Sequence, residues 1–288
     1  MKWEGKIVQI YDLWWRPQTQ NDIEFWKEVV RFHFGSLHAT SVRRFIVELC
    51  SGPGRVLVPV AAHLAERLSD LDFRAVGLDY SPEMNAALQR KVSGCRLEDR
   101  VSAREFDITE EDWEITLPSR EVDVFIMPFN HFAQIGDRTL QEIVVRNVAR
   151  NLRLGGLFIV DDYNPPVSRR RDTGEKVFRW MVADEKERRA LYYWRRSWTL
   201  DGQHSQVLYV VECVEWPKDP HNPDKDAEER HVEILAATER IRYSTPHELD
   251  ELLGEHQLKV VHRYGGYDMR RFHEADDRSQ VVVARKIA

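Results

Sequence analysis

Four residues of this chain combine a reactive or recognising side chain with a telling position: Glu48, Asp79, Asp107 and His131. Each acid closes a short apolar run, Phe45-Ile46-Val47 before Glu48, Phe73 to Leu78 before Asp79, and Val101 to Phe106 before Asp107. In an open parallel sheet such strand ends face the ligand crevice. A helix N-cap is the ordinary alternative for any one acid; three in succession strengthen the case for a ligand. Glu48 is followed by Cys50-Ser51-Gly52-Pro53-Gly54-Arg55, where Gly52 and Gly54 permit a sharp turn and close approach of a ligand to the backbone. The helix that then begins offers free N–H groups to an anion such as a carboxylate. Asp79 suits a pair of ribose hydroxyls, and Asp107 an adenine amine with Ile108 as apolar wall. Glu48 would oppose a pyrophosphate and favour an ammonium group, and the third glycine of a dinucleotide fingerprint is replaced by Leu57. One adenosyl ligand with an amino-acid tail and a positive sulfur fits all three acids better. His131 is the candidate general base, with a structural, hydrogen-bonded histidine as the alternative.

These residues need elements that bring them together. From Phe45 to about Asp162, strand and helix patterns alternate, which implies parallel strands joined by crossover helices. Val56, Leu57, Val60, Ala61, Leu64 and Leu68 recur at helical spacing. Ser81 as N-cap and Pro82 in the first turn open the next helix. A buried strand is expected over Val122 to Met127, a helix over Thr139 to Leu152 and a fifth strand over Leu157 to Val160, ending at Asp161-Asp162. Before the sheet, Ile23, Trp26, Val29, Val30 and Phe34 share one helix face, giving a helical cap over residues 1–44 to which Tyr11 and Trp15 belong. After Tyr163-Asn164-Pro165-Pro166 the pattern changes: Leu191–Trp198, Ser205–Trp216 and Arg230–Tyr243 read as strands, with a turn at Asp201-Gly202 and a long loop over Pro217 to Glu229. Thr245 to Glu248 forms a capping box, and Val260–Tyr267 and Gln280–Lys286 are the last strands. The expected architecture is α/β: a Rossmann-like, mostly parallel seven-stranded sheet (45–164 and 244–288) with a C-terminal antiparallel hairpin. Residues 165–243 are an inserted antiparallel sheet over the carboxyl ends of the parallel strands.

The order of these motifs resembles the class I S-adenosylmethionine-dependent methyltransferases. The resemblance runs through Val47-Glu48-Leu49-Cys50-Ser51-Gly52-Pro53-Gly54, Gly77-Leu78-Asp79-Tyr80-Ser81-Pro82-Glu83-Met84 and Phe106-Asp107-Ile108. Asp123 to Phe132 and Leu154-Gly155-Gly156-Leu157-Phe158-Ile159 extend it, so it covers about residues 45–162. Cys50 stands where the family has its first glycine, so the turn there must tolerate a side chain. The resemblance implies S-adenosylmethionine as cofactor. It would be held by Tyr11, Glu48, Cys50, Ser51, Gly52, Gly54, Asp79, Tyr80, Met84, Asp107 and Ile108, with Phe129 and Asn130 lining its methyl end. An insert after the fifth strand is similar to that of sugar-amine and glycine-type N-methyltransferases, and implies substrate contacts there. Trp15, His131, Tyr163, Trp194 and Tyr267 are the substrate candidates.

Tyr192, Trp194 and Trp198 fall on one face of a strand if alternation holds, forming either an aromatic wall for a flat or cationic substrate or the core beneath a sheet. Ser168-Arg169-Arg170-Arg171 would meet an acidic substrate or lie in a solvated loop. A formal charge of −6 argues against a nucleic-acid partner. Cysteines 50, 95 and 213 lack metal-ligand spacing and suit a reducing compartment. Met1 to Lys6 lacks the apolar core of a leader, and no apolar run reaches the ~20 residues that cross a bilayer, so a cytoplasmic protein away from membranes is expected. The expected activity is methyl transfer to a small molecule, nitrogen favoured over oxygen by a narrow margin, without a metal; a homodimer is compatible with the sequence. O-methylation with His131 as base, methylation of protein or RNA, and a non-catalytic binding module stay as alternatives.

Overall fold

A computed structural model describes residues 8, 11–12, 20–36, 42–113, 122–168, 173–184, 189–215 and 230–288. Helix α1 (Gln20–Gly35) buries Phe25, Trp26, Val30 and Phe34. Then follow β1 (Arg44–Leu49), α2 (Leu57–Arg67), β2 (Phe73–Asp79), α3 (Pro82–Gly94), β3 (Val101–Glu105) and β4 (Val122–Met127). A four-residue turn of helix, α4 (His131–Gln134), leads into α5 (Arg138–Asn151) and the long β5 (Leu152–Tyr163). After the short α6 (Pro165–Ser168) come four strands, β6 (Thr173–Asp184), β7 (Arg189–Thr199), β8 (His204–Glu215) and β9 (Arg230–Arg242). The chain ends with α7 (Pro246–Glu255), β10 (Leu258–Tyr264) and β11 (Ser279–Lys286).

Seven strands form one sheet in the order β10-β11-β5-β4-β1-β2-β3, parallel from β5 to β3, with β11 antiparallel to both β5 and β10. Alternation along β1 sends Phe45, Val47 and Leu49 to one face, where α5 and α7 pack, and Ile46 to the other, where α1, α2 and α3 pack. Both faces are covered, as buried parallel strands require. Ser81 Oγ accepts the Met84 N–H to cap α3, and Thr245 and Glu248 close a reciprocal capping box on α7. The second sheet is an antiparallel meander, β6-β7-β8-β9. Its inner face carries Leu191, Tyr193, Val207, Tyr209, Val211 and Ile241, packed against Tyr11, Met84 and Ala133. Met84 and Ala133 lie just beyond the carboxyl ends of β2 and β4.

Three sequence expectations need correction. The fifth strand starts at Leu152, which already pairs with Val122 of β4; a register shift, with left-handed Gly155 (φ 79°) inside it, then brings Leu157 opposite Val124. Strand β3 stops at Glu105, before Phe106. The insert has a further strand, β6, which the sequence reading left out; its exposed Val177, Phe178 and Met181 blur the alternation that marks a half-buried strand. Trp15, Arg169, Arg170, Arg171 and the expected 217–229 loop lie outside the described residues.

Candidate active site

Register fixes the relation of the three acids. Glu48 lies beside Gly77, two residues short of Asp79, while Asp79 pairs with Glu105, two residues short of Asp107. Glu48 therefore lies one step below Asp79, the last residue of β2, and Asp107 follows two residues beyond the end of β3. Between them the β1–α2 turn uses three left-handed residues, Cys50 (φ 54°), Gly52 (φ 50°) and Gly54 (φ 70°). A Cβ on Gly54 would come within 2.9 Å of Leu88 Cγ, so the turn packs directly on α3. Cys50 adopts the same conformation with a side chain, at a cost of about 1 kcal/mol or more.

Asp79 holds this turn: Oδ2 accepts the Gly52 N–H at 2.8 Å and Oδ1 the Ser81 N–H at 2.9 Å. Each oxygen keeps a lone pair for a further donor. Burial raises the Asp79 pKa against the pull of those two N–H groups. Asp107 Oδ1 takes both the N–H (2.8 Å) and hydroxyl (2.6 Å) of Thr109, which fixes its carboxyl beside the buried Ile108. Tyr11, Cys50, Gly52, Asp79, Tyr80, Met84, Asp107 and Ile108 line one cavity of about 210 Å³. Leu78, Phe106, Thr109 and Ile135 complete it. Glu48, Ser51 and Gly54 stand behind the turn and do not line it. Glu48 is 2% exposed, and burial pushes its carboxyl up to about 8, with the Arg55 charge opposing.

A second cavity of about 300 Å³ opens where β4, β5 and the inner face of β7–β9 converge. Phe129 (φ 72°) and Asn130 (φ 55°) turn the chain sharply after β4, two consecutive strained residues of the kind that cluster at functional sites. Asp161 supports the turn by accepting the Asn130 N–H at 2.7 Å and the Tyr267 hydroxyl. Burial raises the Asp161 carboxyl to about 6. Arg55, from the turn after β1, makes a two-pronged pair with Asp22 of α1 (2.7 and 3.0 Å) and lies 5.1 Å over the Phe129 ring. That pair ties helix α1 to both loops.

Phe129, Asn130, Tyr163, Tyr267 and His131 all line the larger cavity. Trp194 does not. It faces the opposite side of β7, where Nε1 donates to Glu212 at 2.6 Å, Lys176 sits 4.6 Å from its ring and Phe178 packs edge-on. Tyr192, Trp194 and Trp198 do share a face, but Tyr193 and Arg195, of opposite parity, are the β7 residues in the cavity. Tyr209, Glu239 and Tyr243 also line its upper wall, and the sequence alone assigns none of the three to a site. The parity of β7 with respect to the cavity was the missing signal: two aromatic sets alternate along one strand, and composition does not say which turns inward.

Tyr11, His131, Gln134 and Glu239 line both cavities. Burial, then the Arg55 charge, lowers His131 to about 4, so its imidazole is neutral near pH 7. Glu48 Oε2, Ser51 Oγ, Asn130 Oδ1, His131 Nδ1 and Glu239 Oε2 are buried with no hydrogen-bond partner among the described residues. Buried polar atoms left unsatisfied are costly, and three of these, on Asn130, His131 and Glu239, belong to residues that line the cavities. Asp79 keeps lone pairs open at the cavity, and Asp107 sets a second acceptor beside the apolar Ile108.

Residues 46–156 match a family described as a methyltransferase domain. Among solved structures the chain is similar to the CcbJ methyltransferase from Streptomyces caelestis, at 22% identity and a TM-score of 0.67 over 98% of this chain and 96% of that one. It is also similar to the sugar N-methyltransferase KedS8 from Streptoalloteichus sp ATCC 53650 (19%, TM-score 0.66, 100% and 97% covered). A third likeness is to CalS10, an amino pentose methyltransferase from Micromonospora echinaspora (16%, TM-score 0.64, 98% and 99% covered). At these identities the likeness establishes a shared fold. No curated protein matches the chain. The domain match runs from β1 to the start of β5, the strands whose tips frame the smaller cavity, so residues 46–156 carry a methyltransferase domain and the chain as a whole shares the fold of the solved methyltransferases it resembles.

Proposed function

We propose that the enzyme methylates a nitrogen of a small molecule held in the larger cavity, with the cofactor in the smaller one. The observation that carries this reading is the wall common to both, Tyr11, His131, Gln134 and Glu239, across which groups bound on either side would meet. In this reading Asp79 takes the ribose hydroxyls, Asp107 and Ile108 the adenine, and Phe129 and Asn130 border the methyl end; Tyr163 and Tyr267 face the acceptor. S-adenosylmethionine supplies a methyl group already activated by its sulfonium. The chain's own task is to align the acceptor and keep water out.

A space of about 300 Å³ roofed by β7–β9 supports a small substrate over a protein or RNA. Its tyrosine-rich wall supports a cationic acceptor, which ring faces attract. His131 bears on the choice between nitrogen and oxygen. With a pKa of about 4 it is a weak base for a hydroxyl proton, whereas an amine needs to lose only a proton that leaves much more readily. The sugar N-methyltransferase among the similar structures supports that choice. The test offers methyl-tritiated S-adenosylmethionine and a panel of amino sugars, each paired with the analogue that carries a hydroxyl in place of the amine. Label is expected on the amines alone. Label on the hydroxyl analogues, or on bulk tRNA or protein instead, would replace this reading.

A further inference from the structure

Carboxyl groups that line the two cavities differ in how fully they are committed. Asp22 is paired twice with Arg55, Asp79 holds the Gly52 and Ser81 N–H groups, and Asp107 holds Thr109. Glu239, on β9, is the one carboxyl that lines both cavities. The Tyr209 hydroxyl bonds its carboxyl, yet Oε2 is buried with no partner among the described residues. The other three residues of the shared wall are poor acceptors of a proton: Gln134 is an amide, burial raises Tyr11 and keeps its phenol neutral, and His131 is a weak base.

We propose that Glu239 receives the acceptor's ammonium group at the junction of the two cavities and takes its proton before methyl transfer. This rests on the nitrogen-directed reading above. In the step, one N–H bond breaks with its electron pair left on nitrogen, and an O–H bond forms at the Glu239 carboxyl. The nitrogen pair is then free to bond carbon, and after transfer the nitrogen again carries the positive charge. The proton on Glu239 returns to solvent, so each turnover of an ammonium substrate releases one proton.

The surroundings tune Glu239 for this exchange. Burial raises it to about 7, against the hydrogen bond from Tyr209 of β8 and the charge of Arg195 of β7. Tyr80, Tyr163 and Tyr193 also face it, each held neutral by burial, and His131 faces it from α4 as a neutral imidazole. A general base works best with a pKa near the operating pH.

The test has two arms. Protein labelled with carbon-13 at the glutamate carboxyls and saturated with S-adenosylhomocysteine is titrated by NMR, and the Glu239 signal is the one missing from Glu239→Gln. Methylammonium chloride, added until its effect levels off, is expected to lower that signal's midpoint by about one pH unit or more relative to equal sodium chloride. Methanol is expected to leave it unchanged. A midpoint indifferent to methylammonium overturns the proposal. In the turnover arm, Glu239→Gln is expected to lower kcat on amines about a hundredfold at pH 7 and abolish the acid limb of the pH profile. Its affinity for S-adenosylhomocysteine and its Tm at pH 4.5, where the carboxyl is protonated in the native state, should stay near those of the wild type. Equal kcat and an unchanged profile would remove Glu239 from the reaction and leave nitrogen methylation standing. Methylation of the hydroxyl analogues would overturn both.

Discussion

Asp79 performs two tasks at one carboxylate, and they are separable by measurement. Its oxygens fix the Gly52 and Ser81 amides, so the side chain shapes the turn before any ligand arrives. In the function proposed above, its remaining lone pairs receive the two ribose hydroxyls, each such charge-assisted bond contributing about 1.5–3 kcal/mol. Asp79→Ala removes both functions. Calorimetry with S-adenosylhomocysteine is expected to show affinity lower by about a hundredfold or more. The helix that follows should survive, because its cap comes from Ser81 Oγ and not from Asp79. Unchanged affinity would show that Asp79 serves only the turn.

At the scale of elements, the β1–α2 turn shows why a sequence departure from a motif need not disable it. Cys50 and Gly54 are both left-handed, but their surroundings differ. Cys50 borders the smaller cavity, where its side chain has room, while Gly54 is pressed against Leu88. Gly54→Ala is therefore expected to destabilise by about 2–4 kcal/mol, from the conformation and the overpacking together. Cys50→Gly should change stability by less than about 1 kcal/mol, since relief of the left-handed strain is offset by the freedom glycine adds to the unfolded chain. Thermal unfolding of the two variants checks the contrast; equal losses would mean the turn senses only its backbone angles. The sheet itself was legible because buried parallel strands and amphipathic helices write their periods of two and 3.6 into composition. Ser81, Thr245 and the strand-end acids were legible for the same local reason. Three strands of the insert were legible in the same way, but not which of their faces turns inward: Trp194 advertises an apolar face that in fact looks outward, and nothing local to Glu239 shows that the fold turns it toward the cavities. Local pattern says which residues share a face, and only tertiary packing says where the face points.

For the whole molecule, the buried acids give a distinct dependence of stability on pH. A carboxyl whose pKa is raised by folding binds a proton in the native state that the unfolded chain has already lost. Stability then falls as pH rises between the unfolded and folded values. Glu48 (about 8) and Glu239 (about 7) both act this way from about pH 4.5 upward. Histidines 33 and 131 act in the opposite sense, since burial lowers both to about 4 and stability rises with pH until the unfolded chain is neutral near 6.5. Above about pH 6.5 the histidines drop out and the two glutamates are unopposed by them. The wild type is therefore expected to lose Tm between pH 6.5 and 8, each glutamate contributing on the order of 1 kcal/mol per pH unit until it ionises in the folded state. The double variant Glu48→Gln/Glu239→Gln should flatten that limb while leaving the limb below pH 6 with its histidine slope. A wild-type Tm that holds level or rises from pH 6.5 to 8 would mean that these carboxyls ionise freely in the folded protein. Glu239 would then have no stored proton affinity to use on an arriving ammonium.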